Sequence, residues 1–277
     1  MKQDEFQKRR AERRKKIRRR RMIISFTVFL CLSAAVFILI SLTILFPVKK
    51  IVVSGESRYT NEEIIEASGL GTDTNIFTFS TSDTIKNIEK SLPYLGKIDV
   101  ERSLPDTVNI KIKSEKSEFA TYLVNGVYYA VSEDHFVLNS YAERPQSLFL
   151  INCENIKCEV GEKVRFEDKK TKEATLLLVD ELTKRDISIN EITVNNPSSL
   201  LAVVENRFEV KFGGVIYLEN KVAHLKKTIA DQKEDETGRI DLSFWEPPIG
   251  QCTFIPGDIV LNSEQDGQAA KNNAENS

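Results

Sequence analysis

The residues with the widest chemical range in this 277-residue chain are two histidines, His135 and His224, and four cysteines, Cys31, Cys153, Cys158 and Cys252. A histidine between a hydroxyl nucleophile and a carboxylate would serve acyl transfer, and such triads assemble in space rather than along the chain. His135 falls in or beside a turn. His224 lies in a short helical stretch beside Lys226 and Lys227, where a solvated or last-turn cation is the commoner state. Cys153 and Cys158 stand in C-x4-C spacing and Cys252 stands alone, an odd count for a disulfide framework. That spacing suits buried or free thiols first, then a local disulfide in an oxidising compartment; zinc comes last, since it asks for four ligands at short spacings. Carboxylate runs such as Asp180-Glu181 and Glu234-Asp235-Glu236 read as solvated helix-face or loop charge, because paired acids need a cleft to act on a glycosidic bond. No G-x-G-x-x-G, P-loop, H-E-x-x-H or G-x-S-x-G occurs. No catalytic residue, metal site or cofactor is expected.

Charge is divided sharply along the chain. Twelve of the 39 Lys and Arg but only three of the 41 acids fall in residues 1–21, which leaves the remainder with 27 basic against 38 acidic side chains. Directly after this basic arm, Met22 to Phe46 is 25 residues without a charge, sixteen of them Leu, Ile, Val or Phe. At 1.5 Å per residue the run reaches about 37 Å, enough to cross a ~30 Å hydrocarbon core with some tilt. It exceeds the roughly 7 to 15 apolar residues of a secretory signal and ends without a small-residue cleavage pattern. It is therefore expected to be an uncleaved transmembrane helix, lodged in the lipid bilayer through residues 22–46. The excess of cations before it sets the amino terminus in the cytoplasm. The arm could also hold nucleic-acid phosphates, but it has a single aromatic residue, Phe6, and no stacking platform. Anionic lipid accounts for the same charge, so no nucleic-acid partner is expected.

Beyond the span the pattern reads strand (Ile51–Val53), helix opened by Thr60 and Glu63 in capping-box spacing, helix from about Ser82 to Leu92, then two strands in which Ile98 and Val100, and Val108, Ile110 and Ile112, alternate with polar residues around Leu104-Pro105-Asp106. The segments "FPVKKIVVSG", "TNEEIIEASGL", "NIFTF" and "SLPYLGKIDVERSLPDTVNIKI" together resemble a polypeptide-transport-associated (POTRA) domain of the FtsQ/DivIB family. A basic arm, one span and then this domain is also that family's layout. From Phe119 the chain becomes β-rich: Asn125-Gly126 marks a hairpin, and residues 167–185 carry a helical stripe of Ala174, Leu177, Leu178 and Leu182. "SINEITVNN", "LLAVVEN", "RFEVKFGG" and "VIYLEN" read as strands, with a tight hairpin at Gly213-Gly214, before a short helix holding Val222, Leu225 and Ile229. This resembles the family's second, β domain.

The expected fold is α+β: a basic arm (1–21), the transmembrane helix (22–46), a β-α-α-β-β POTRA domain (47–117), a mixed sheet backed by helices (118–260) and a disordered polar tail (261–277). "GRIDLSFW" is the last strong strand before Pro247-Pro248, and an edge strand offers its backbone to a partner. In the resembled family the last strand of the β domain pairs with a strand of an FtsB/DivIC partner, itself paired with FtsL. Carried to matching positions, this implies Arg239, Asp241, Leu242, Ser243, Phe244 and Trp245 as partner-binding residues, with Ser243 where the family tends to a basic residue. Trp245 could equally sit in the core. The resemblance implies a non-enzymatic scaffold of the divisome during septal wall synthesis, in the cell membrane at the septum, with further divisome partners on the POTRA domain. The competing readings are a membrane-anchored cell-wall enzyme and a membrane-tethered nucleic-acid-binding protein.

Overall fold

The computed structural model describes residues 21–37, 46–71, 73–248 and 250–259. Residues 21–37 form a helix, α1, with its apolar side chains exposed. The rest of the expected span, up to its last residue, lies outside the described residues, as do the arm before Arg21 and the polar tail. No helix among the described residues is long and apolar enough to cross a membrane. The chain divides into two compact units, one taking in the chain to Ile88 and Lys97–Lys113, the other Glu89–Gly96 and the chain from Ser114.

In the first unit β1 (Lys50–Ser54), α2 (Asn61–Ser68), α3 (Thr81–Ser91), β2 (Ile98–Ser103) and β3 (Thr107–Ile112) follow one another. The sheet order is β1-β3-β2, with β3 parallel to β1 and antiparallel to β2. Period-two alternation sends Ile98 and Val100, and Val108, Ile110 and Ile112, to the covered face. Ile64 of α2 and Ile88 of α3 are fully buried. The capping box forms: the Thr60 hydroxyl accepts from the Glu63 amide, and the Glu63 carboxylate accepts from the Thr60 amide at 2.7 Å. The Thr60 hydroxyl also donates to that carboxylate at 2.9 Å, and the amide and hydroxyl bonds together hold the Glu63 carboxyl below its usual range.

The second unit is built on a nine-stranded mixed sheet. Its strands are β4 (Ala120–Val124), β5 (Val127–Val131), β6 (Val137–Tyr141), β7 (Phe149–Cys153), β10 (Ile189–Asn196), β11 (Ser199–Val204), β12 (Phe208–Gly213), β13 (Gly238–Asp241) and β14 (Thr253–Pro256), in the order β14-β13-β12-β11-β10-β7-β4-β5-β6. A small ladder, β8 (Ile156–Lys157) and β9 (Arg165–Phe166), precedes α4 (Lys169–Lys184). Asn125 and Gly126 both take positive φ, as a two-residue hairpin turn requires. The parallel pairs β7/β10 and β12/β13 each need a crossover, which α4 and α5 (Leu218–Asp231) supply. Both helices turn an apolar stripe to the sheet: Ala174, Leu178, Val179 and Leu182 from α4, and Leu218, Val222 and Leu225 from α5, join Tyr122, Ile151, Phe208 and Phe212 in one core.

The structure corrects one strand. Val215–Tyr217 does not pair across Gly213-Gly214; instead the chain turns there, Tyr217 takes φ +57°, and α5 begins at Leu218. The reason is Leu218, which is buried in the core at helical spacing from Val222 and Leu225. Leu218 therefore continues the helical stripe rather than a β alternation. Lys221, one turn in, is also buried; its ammonium donates to the Phe212 carbonyl at 2.7 Å and tethers the helix to the end of β12. Burial lowers its pKa.

Candidate partner-binding edge

The three outermost strands on one side of the large sheet are β12, β13 and β14. Gly238, Ile240 and Leu242 direct their amides toward β12: Gly238 donates to Arg207 at 3.0 Å and Leu242 to Lys211 at 2.8 Å. Their neighbours Arg239 and Asp241 therefore face β14, opposite Ile255 and Thr253. The "GRIDLSFW" strand is thus interior in the sheet, not its edge as its position before Pro247-Pro248 suggested. Gly238 makes this closeness possible, since a Cβ there would stand 2.4 Å from the Ile255 carbonyl oxygen.

Among the described residues the edge belongs to β14. Gly257 donates to Thr237 at 3.1 Å, so by antiparallel alternation Thr253 and Ile255 turn their backbone groups inward and Phe254 and Pro256 turn theirs out. Proline has no amide. Within the strand the outward row thus holds one donor, at Phe254, and two acceptors.

The residues expected to bind a partner separate into two sets. Leu242 is fully buried and Trp245 is 9% exposed. The Trp245 ring lies edge-on to Tyr217 with centroids 6.4 Å apart, and 6.1 Å from His224. Asp241 accepts from the Ser243 amide at 2.8 Å, which closes the turn after β13. These four residues shape and support the surface. Phe244, in contrast, is 91% exposed, and Arg239 is exposed with its Nε 3.0 Å from the Glu209 carboxylate on β12. Ile216, Tyr217 and Ile255 add exposed apolar surface on neighbouring segments. No alternation along the chain marks Ile255, because the strand is four residues long and ends in proline.

The chemically versatile residues do not converge. Cys153 and Cys158 are buried free thiols, and burial raises both, Cys158 to about 12, which keeps them from being nucleophiles at neutral pH. His135 donates or accepts at Nδ1 with the Tyr122 hydroxyl, 2.9 Å away, and burial pushes its pKa down to about 4. It lines a cleft of about 460 Å³ with Phe119, Asp134 and Asp180. Two of the three acids that line that cleft are paired, Asp134 with Lys163 at 3.3 Å and Asp180 with Lys184 at 2.5 Å; Glu133 is the third. His224 sits not on a solvated face but against Cys252, Nε2 to Sγ 3.3 Å. Among the described residues no group of His, Cys, Asp and Glu could hold a metal ion.

Residues 46–113 match the family described as POTRA domain, FtsQ-type, so the first unit defines a POTRA-bearing protein. The chain is 25% identical over 208 residues to the cell division protein DivIB of Clostridium acetobutylicum, covering 74% of this chain and 82% of that one. It also aligns with the solved major extracytoplasmic domain of the trans isomer of the cell division protein DivIB from Geobacillus stearothermophilus, at 13% identity and a TM-score of 0.27, over 44% of this chain and all of that one. The chain thus carries an FtsQ-type POTRA domain and is similar to a DivIB-type cell division protein, which supports a role in cell division.

Proposed function

We propose that this protein is a non-catalytic, single-pass membrane scaffold that binds and positions other membrane division proteins, of FtsB/DivIC and FtsL type, by strand addition at the open edge of the large sheet. In this reading residues 1–21 lie in the cytoplasm, 22–46 span the membrane, and the POTRA domain (47–117) and β domain (118–260) lie outside at the septum. The observation that carries it is the coincidence of an open edge at β14 with Phe244, 91% exposed on the connection that joins β13 to β14. A partner strand would exchange main-chain bonds with Phe254 and Pro256 while an apolar pocket on it takes the Phe244 ring. Arg239 would add a rim charge that sets approach more than affinity. Leu242, Trp245, Asp241 and Ser243 act from beneath by holding the surface in shape. Confinement to the membrane raises the partner's effective concentration, so modest contact area suffices.

The test uses the full chain in nanodiscs and an FtsB/DivIC-type extracytoplasmic fragment. Phe244→Lys combined with Ile255→Lys, both at exposed positions, should weaken binding at least about tenfold with an unchanged melting temperature. Undiminished affinity in a folded variant would discard the edge as the binding site.

A further inference from the structure

The first unit exposes large apolar side chains at one end of its sheet. Among its described residues from Phe46 to Lys113, only Phe77 (44%) and Leu104 (64%) are exposed large hydrophobics. They lie on two different connections, α2–α3 and β2–β3, yet the backbone brings both to the same place. β1 starts at Lys50, opposite Thr107 of β3, and Thr107 stands opposite Ser103 at the end of β2. The Leu104-Pro105-Asp106 turn therefore sits beside the entry to β1, where the Lys49 and Lys50 amides both donate to the Asp106 carbonyl, at 2.9 and 3.3 Å. The α2–α3 connection reaches the same end: Val48 donates to Thr74 at 2.8 Å and Ile76 to Phe46 at 3.0 Å. The Phe77 ring then stands edge-on to Phe46, centroids 5.2 Å apart.

Phe46 is the last residue of the charge-free run, and three residues of chain separate it from β1. The four Cα steps from Phe46 to Lys50 span at most about 14 Å, so this end of the domain is held within reach of wherever the run leaves the bilayer. Cations flank the apolar group. Lys49 and Lys50 are exposed, and the Arg102 guanidinium lies 4.6 Å from the Phe79 ring centroid while donating to the Phe79 carbonyl. The facing acids are Asp106, which pairs with Lys49 at 3.7 Å, and exposed Asp73. Apolar side chains ringed by cations are the composition of a surface that lies in the lipid headgroup layer.

We infer that the POTRA domain rests on the outer leaflet of the membrane through Phe77 and Leu104, with Lys49, Lys50 and Arg102 at the level of the lipid phosphates. This rests on the membrane-spanning reading of residues 22–46 but goes beyond it, because a span alone would leave the domain free to swing on its tether. The contact seats the domain on the bilayer and fixes which side of it faces away.

The test places tryptophans in the full chain, reconstituted in phosphatidylcholine/phosphatidylglycerol nanodiscs with lipids brominated near the carbonyl end of the acyl chains. Trp245, the only native tryptophan, gives the baseline to subtract. Phe77→Trp and Leu104→Trp should each emit at shorter wavelength and lose about half of the added signal. Lys113→Trp, beyond the opposite end of β3, should be unquenched, and all variants should keep the parent's melting temperature. If Leu32→Trp within α1, at mid-span and read with lipids brominated near the ends of the acyl chains, is quenched and positions 77 and 104 are not quenched by the carbonyl-end set, the docking is wrong and the span stands. If Leu32→Trp is also unquenched, the spanning reading fails and the docking falls with it.

Discussion

The two edges of the nine-stranded sheet are treated differently. At one, the entry to β6 is covered: the Val137 amide donates to Glu162 at 2.9 Å, its carbonyl accepts from Gly161 at 3.0 Å, and Val164 donates to the His135 carbonyl at 3.0 Å. A loop crosses the first residue of the strand, and Phe136 just before it bridges to Lys163. At the other, β14 is blunted only by being four residues long and by Pro256, while Phe244 and Ile255 stay exposed nearby. Unpaired edges invite aggregation, so covering the start of one edge and leaving the other short agrees with the strand addition proposed at the second.

The largest effect should follow from prying the covered edge apart. Gly161 takes φ +84° with its would-be Cβ 2.3 Å from the Lys90 carbonyl oxygen; Gly161→Val combines strain with a backbone clash and should cost roughly 3 kcal/mol or more. Urea unfolding would register this, together with faster amide exchange along β6. On the open side, Leu242→Ala should cost about 3 kcal/mol by leaving a cavity under the turn that carries Phe244. Partner affinity should fall with it, and a normal affinity at that loss of stability would separate the surface from its support.

Acid should act through the covered edge. His135 titrates near 4 when folded because burial disfavours its cation, against the usual 6.5. The unfolded chain therefore takes the proton first, so stability is full above pH 6.5 and falls as pH drops toward 4, by about 1 kcal/mol per unit over that window. Asn tolerates the positive φ at this position, so His135→Asn should flatten the stability–pH curve there, as measured by thermal melts at successive pH values. The smallest effect belongs to Arg239→Gln: its exposed pair with Glu209 contributes less than about 1 kcal/mol to stability. Stopped-flow association should slow and lose salt dependence while the melting temperature holds.

Local chemistry was the legible part of this chain. Thr60 with Glu63, Asn125 with Gly126, and the alternation through Val108, Ile110 and Ile112 each name a bond or a face, and each forms. The edge was not legible, since which strand is outermost depends on a later segment, "TFIP", too short for periodicity and ending in a residue that strands usually exclude. Nor could alternation tell Leu242, which fills the core, from Phe244, which projects into solvent; both are apolar and two apart on one segment, and only the turn closed by Asp241 separates them. Val215–Tyr217 misled for a related reason: β-branched and aromatic residues suit strands, but the fold needed Leu218 on a helix.

The crossover through α5 has a consequence for assembly. β13 joins β12 only after the helix has been traversed, and β14 folds back on β13. During synthesis the outer border of the growing sheet is therefore β12 until Gly238 arrives. The β14 edge is finished last, so a chain still emerging offers a different border from the completed one, and under the proposed strand addition a partner would engage only protomers whose folding is done.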